Sequence, residues 1–219
     1  MSNTVRERIL TKLKNANTQA AGTLPNAEKL PVKPTTQAER VEEIKKRLEA
    51  VRAEVHVVNN GNWVETVKGV LAKRSVKTLL YAPETTIGKA VAQAFKDKKD
   101  GLPELVPYQE SIENFKPELF QLDASITSTI GGIAETGALI LWPTPQEPKL
   151  MSLIPPIHIA ILEANKIYQT FTEAIEKEGW SDKSPLNALL ISGPSKTADI
   201  ELVLAFGVHG PKELVVVIV

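Results

Sequence analysis

Apolar residues recur every three or four positions in some stretches and alternate or run together in others, and these two periods divide the chain into elements. Val5, Ile9, Leu10 and Leu13 share one face of a helix expected over 4–16, with charges between them. A helix this short is marginal in water by itself, so its stripe needs a surface on its own domain or on a second subunit. Residues 18–36 (TQAAGTLPNAEKLPVKPTT) break the pattern, and Pro25, Pro31 and Pro34 make them an extended linker. From Gln37 a helix resumes on Val41, Ile44, Leu48 and Val51.

The next stretches alternate between types: a strand at 53–58, a helix at 63–73, a strand at 76–82 and a helix at 87–95. That succession predicts a parallel sheet covered by helices. Further strands are expected near 122–127, 138–142, 157–162, 187–191 and 214–218. A helix is expected at 165–178 on Ile167, Phe171 and Ile175, and a short one near 197–205. Some of these strands follow each other across tight turns, so part of the sheet is antiparallel. The expected fold is α/β, a mixed and largely parallel sheet flanked by helices. A helical arm and linker (1–36) precede the main domain (37–219).

Composition narrows the chemistry. Lys plus Arg equals Asp plus Glu at 26 each, so no whole-protein field attracts nucleic acid or an anionic membrane. The chain has no cysteine, which excludes disulfides, thiolate nucleophiles and Cys-ligated zinc or iron–sulfur clusters within it. No apolar run approaches the roughly 20 residues that span a bilayer. The N-terminal residues lack a signal-peptide core, so a cytoplasmic location is expected.

Three segments carry polar groups on glycine-bearing turns. In the first, Thr127, Ser128 and Thr129 precede Gly131 and Gly132, and Glu135 and Thr136 stand before Gly137. Glycines let a ligand approach the backbone, and a lone carboxylate there acts as base, acid or nucleophile, or merely caps a helix or pairs with an arginine. In the second, Gly193, Ser195, Lys196 and Thr197 follow an apolar strand and lead into the expected helix. This is either an anion cradle of amides, hydroxyls and one ammonium, or a capped turn without a ligand. In the third, His209 lies between Gly207 and Gly210 on a loop before the last strand. His158 alternates with Ile157 and Ile159 on a strand, the usual setting of a hydrogen-bonded core histidine, and His56 reads as a surface strand position. No histidine pair has the spacing of a helical zinc site, so no metal is expected.

GGIAETGALIL (131–141), SLIPPIHIAIL (152–162), ISGPSKTADIELVLAFGVHGP (191–211) and KELVVVIV (212–219) occur in this order. They resemble the C-terminal half of the lactate-utilisation protein C (LutC/YkgG) family, whose LUD domain carries similar stretches. Ala138 stands where that family often has threonine, and Lys196 and Lys212 stand where it often has arginine. Replacing arginine by lysine keeps the charge but loses the bidentate fork. The resemblance implies a fold like that of ribose-5-phosphate isomerase, glucosamine-phosphate deaminase and the CoA transferases. Glu135 is similar in context to the glutamate nucleophile of the last group. It also implies a part in oxidising L-lactate to pyruvate beside partner proteins that carry the iron–sulfur clusters, with no cofactor bound by this chain. The alternative is a stand-alone enzyme or binding protein for a small anionic metabolite or CoA ester. On either reading Glu135 and His209 are the candidate catalytic groups. The ligand would then meet Thr129, Gly131, Gly132, Thr136, Gly137, Gly193, Ser195, Lys196, Thr197 and Gly210.

Overall fold

A computed structural model describes residues 2–19, 35–58, 61–96, 101–109, 112–183, 187–197, 205–207 and 209–219. In chain order the first half comprises α1 (Ser2–Gln19), α2 (Gln37–Ala50), β1 (Glu54–Val57), α3 (Trp63–Lys73), β2 (Thr78–Tyr81), α4 (Thr86–Ala94), β3 (Glu104–Pro107), α5 (Ile112–Leu119) and β4 (Ala124–Ser128). The second half comprises β5 (Gly131–Ile133), β6 (Ala138–Leu141), β7 (Ile157–Leu162), β8 (Ile167–Tyr168), α6 (Phe171–Lys177), α7 (Trp180–Lys183), β9 (Leu189–Ile191), β10 (Lys196–Thr197), β11 (Ala205–Phe206) and β12 (Glu213–Ile218). Short 3-10 turns lie at Lys149–Ser152 and Ala164–Lys166.

Residues 1–33 and 34–219 form separate units. The first contains α1, whose Val5, Ile9, Leu10 and Leu13 are exposed. In the second, six strands form a parallel sheet in the order β1-β12-β7-β4-β2-β3. Its central strands are buried on both faces, which is why β7 (IHIAIL) and β12 (ELVVVI) read as apolar runs.

One face packs Ile126, Ile159, Ile161, Val215 and Val217 against α3 and α4. On the opposite face, Ala160, Leu162, Leu214, Val216 and Ile218 meet Ile44 and Leu48 of α2 and Leu139 and Leu141 of β6. That face also carries a smaller mixed sheet, β8-β5-β6-β9. Ile133, Ala138, Ile140 and Tyr168 point the other way and pack with Ala174 of α6.

Local chemistry sets the element ends. Thr36 caps α2 with a full capping box: it accepts from Glu39 N, and the Glu39 carboxylate returns to Thr36 N at 2.7 Å. Arg40 then ties α2 to β8 and α6 through the Ile167 carbonyl and the Glu173 carboxylate. At the start of the central strands, Asp123 clamps β2 to β4. Its Oδ2 accepts from Lys77 N (2.8 Å) and Thr78 N (3.2 Å), and its own N–H donates to Thr78 Oγ1 (2.9 Å). Asp123→Ala leaves two amides unmatched and is expected to cost about 1–3 kcal/mol, read as a lowered urea midpoint.

The helix expected at 165–178 is divided. Ile167 and Tyr168 pair in parallel with Gly132 and Ile133, and the helix begins only at Phe171, capped by the Thr170 side chain. Two strand residues carry too little periodicity to oppose the helical spacing of Ile167, Phe171 and Ile175. The strand is set by its partner instead. Most of the helix expected near 197–205 falls on 198–204, outside the described residues. At its ends, Lys196–Thr197 and Phe206–Ala205 form an antiparallel pair.

Candidate functional site

Two of the three glycine-bearing segments meet. Ser195 N donates to the Pro211 carbonyl at 2.9 Å, and Gly207 N donates to the Ser195 carbonyl at 2.9 Å. These bonds bring 193–195 beside 209–211, over the amino ends of β7 and β12. The loops and strand β9 wall an open cavity of about 280 Å³. Gly193, Ser195, His209 and Gly210 line it, together with Ser152 and His158. Apolar surface comes from Leu153, Leu190, Ile191, Pro211 and Leu214. His209 is exposed. Lys196 is also exposed and is not among the lining residues, and Thr197 lies with it in β10.

His158 is fully buried as the second residue of β7, level with Ser125 on β4 and Leu214 on β12. Its Nε2 lies 2.8 Å from Thr127 Oγ1, and its Nδ1 has no hydrogen-bond partner. Burial pushes the ring down to about 4, so it is neutral near pH 7. A buried unmatched ring nitrogen costs about 1–3 kcal/mol, and the ring is 0% exposed, so this nitrogen is closed off from the cavity. The neighbouring Ser125 is satisfied: its hydroxyl donates to the Met151 carbonyl at 2.5 Å and holds the 3-10 turn against β4.

Thr127 also faces a water-sized cleft, lined by Ser128, Glu147 and Ser152 among others. Glu147 accepts from Ser128 N at 3.2 Å and from the Ser128 hydroxyl, and burial still raises its carboxyl above the usual range. Composition gave no signal for Glu147, a single acid in the proline-rich TPQEPK (144–149). A third cavity, of about 240 Å³, opens beyond the carboxyl ends of β2 and β3 between Glu84, Tyr108 and Gln146. Strand order reverses on the other side of β2, between β2 and β4.

The segment 131–137 lies apart from the histidine cavity. It is the β5–β6 hairpin, with Gly131 opposite Ile140 and Ile133 opposite Ala138. Its glycines serve packing. A Cβ on Gly131 would stand 2.8 Å from the Lys166 carbonyl oxygen, and one on Gly132 would stand 2.6 Å from Ile44 Cδ1 of α2. Glu135 and Thr136 are exposed in the turn that Gly137 closes, and Glu135 N donates to the Gln169 carbonyl at 3.1 Å. Thr129 is buried with its hydroxyl on the Ile161 carbonyl. His56 sits on β1 with Nε2 2.6 Å from Glu54, a carboxylate that Arg74 also holds. Among the described residues no three His, Asp or Glu side chains converge as metal ligands.

A parallel six-stranded sheet with helices on both faces, and a cavity where two loops cross its central strands, define an α/β protein with a ligand-sized site. The chain belongs to the LUD domain family, whose profile matches residues 41–219. An uncharacterised protein of Neisseria meningitidis is 34% identical over 96% of this chain and 91% of its own length. A protein of Bacillus mycoides named lactate utilization protein C 1 is 26% identical over 84% of this chain and 80% of its own. The lactate utilization protein C of Deinococcus radiodurans is 40% identical over a shorter stretch, 47% of this chain and 49% of that protein. The crystal structure of a DUF162 family protein from Deinococcus radiodurans shares the fold, with a TM-score of 0.60 and 21% identity over 84% of this chain. No helix among the described residues is long and apolar enough to cross a membrane.

Proposed function

We propose that this protein is the cysteine-free component of a cytoplasmic system that oxidises L-lactate to pyruvate together with partner proteins carrying iron–sulfur clusters. The observation behind this reading is the long match to a relative named for lactate utilisation, over 84% of the chain. Chemistry assigns the division of labour. Converting lactate to pyruvate releases two electrons and two protons, and a chain without cysteine cannot ligate a cluster through thiolates. On this reading cluster-borne electron transfer falls to the partners, and this chain contributes substrate handling, assembly or a step that uses no bound cluster. A second reading is an independent enzyme or binding protein for a small anionic metabolite or CoA ester; a cavity does open beyond the carboxyl ends of β2 and β3, but the one charged residue among its described lining is Glu84, which repels an anion.

Deleting the gene is expected to abolish growth on L-lactate as sole carbon source and to leave growth on pyruvate unchanged. Unimpaired growth on lactate would remove the first reading. Complementation with Glu135→Gln is expected to restore growth as well as the original chain does, because Glu135 stands exposed at a hairpin turn outside the histidine cavity. Failure of that variant alone would return the chemistry to the hairpin.

A further inference from the structure

The cavity beyond the carboxyl ends of β2 and β3 differs in chemistry from the histidine cavity. Pro83 and Glu84 follow β2, Tyr108 and Gln109 follow β3, and Pro145 and Gln146 complete the wall. At about 240 Å³ it has room for a small organic molecule. Tyr108 is only 9% exposed. Its N–H donates to the Tyr81 carbonyl at 2.9 Å, which fixes it beside the end of β2. Its ring stands edge-on to Phe115, with centroids 5.5 Å apart and planes at 89°. Its hydroxyl has no hydrogen-bond partner among the described residues. The unmatched atoms sealed from water are His158 Nδ1 and Trp180 Nε1, so the Tyr108 oxygen remains accessible in a residue that lines the cavity. Burial raises this phenol above its ordinary value, so it is a neutral hydroxyl near pH 7. A mostly buried hydroxyl without a partner is an uncommon feature, and the cavity is where a partner can meet it.

Charge decides which partner. Glu84 is exposed, and no Lys or Arg stands with it in the described lining. An anion is repelled there, whereas a cation gains from the carboxylate, from the phenol oxygen and from the aromatic ring. Gln109 and Gln146 offer amide carbonyls to N–H donors, and the two prolines offer apolar surface to a short alkyl chain. We propose that this cavity binds a small organic cation, an alkylammonium or alkylguanidinium group, which donates to the Glu84 carboxylate and to the Tyr108 hydroxyl oxygen. A free metabolite and a lysine or arginine side chain of another protein both carry that chemistry. The assignment does not depend on the lactate reading.

The test uses the full chain, labelled with ¹⁵N. The side-chain amide resonances of Gln109 and Gln146 should shift saturably with n-butylguanidinium. They should stay still with n-butylurea, which is neutral and similar in shape, and with pentanoate. Glu84→Gln keeps the size and removes the charge, and is expected to weaken binding about fivefold. Tyr108→Phe keeps the ring and removes the oxygen, and is expected to weaken it about threefold. Because that oxygen bonds to nothing in the protein, Tyr108→Phe should not lower the urea midpoint of the ligand-free chain, whereas a hydroxyl kept for the fold would. If Tyr108→Phe does not fold, the exposed Glu84→Gln decides. Tighter binding of N-acetyl-arginine methylamide than of n-butylguanidinium assigns the site to a protein side chain, and the reverse assigns it to a free metabolite. No saturable shift with either cation, an equal shift with n-butylurea, or binding unchanged by Glu84→Gln overturns the proposal.

Discussion

Replacing Gly88 by alanine is expected to destabilise the domain by about 3 kcal/mol or more, a large effect for one methyl group. Helix propensity argues the other way. Gly88 lies inside α4, where alanine is favoured by about 1 kcal/mol. Packing decides the sign, because an added Cβ would lie 1.7 Å from the Ala82 carbonyl oxygen and 2.6 Å from its carbon. Both atoms are backbone at the end of β2, so no rotamer relieves the overlap, and α4 or the strand end has to move. The same region borders the cavity at Pro83 and Glu84. Urea unfolding checks this: the midpoint should fall with little change in slope. A variant as stable as the original chain would show that α4 does not approach β2 this closely.

The second large effect is a loss of stability in mild acid. His158 titrates at about 4 in the folded protein against an ordinary value of 6.5, so between those values the unfolded chain binds the extra proton. The stabilisation is complete above about pH 6.5 and falls as pH drops towards 4, by about 3 kcal/mol over that window. Glu147 contributes with the opposite sign, because burial raises its carboxyl and its folded form gains protons first as pH falls. The comparison with His158→Gln isolates the histidine. The stability gap between the two proteins should narrow by about 3 kcal/mol from pH 7 to pH 4. An unchanged gap would mean that water reaches the ring.

Much of the architecture was legible from periodicity. α2, α3 and α4 each bury one stripe, and the spacings of Ile44 with Leu48 and Val67 with Val70 and Leu71 carry that information locally. β7 and β12 are buried on both faces and appear as unbroken apolar runs. β8 left no such trace, because its two residues are held by Gly132 and Ile133, far earlier in the chain.

The candidate site divides along the same line. The polar turns at 193–197 and 207–211 were visible as turns, and part of each joins one cavity. The glycine pair at 131–132 carries the same local signal, yet it accommodates Ile44 and Lys166. A missing side chain marks a close approach without saying whether a ligand or another element approaches. His158 on its strand looked like any satisfied core histidine, and its unmatched Nδ1 follows from where Thr127 stands on the neighbouring strand.

By itself, then, the sequence determined the elements whose residues are buried by their own period, the absence of thiol chemistry, and the turns that expose polar groups. Tertiary structure decided strand order, which turns share a cavity and which nitrogen of His158 lacks a partner. Each of these depends on atoms brought together from distant positions, and no local pattern records that distance.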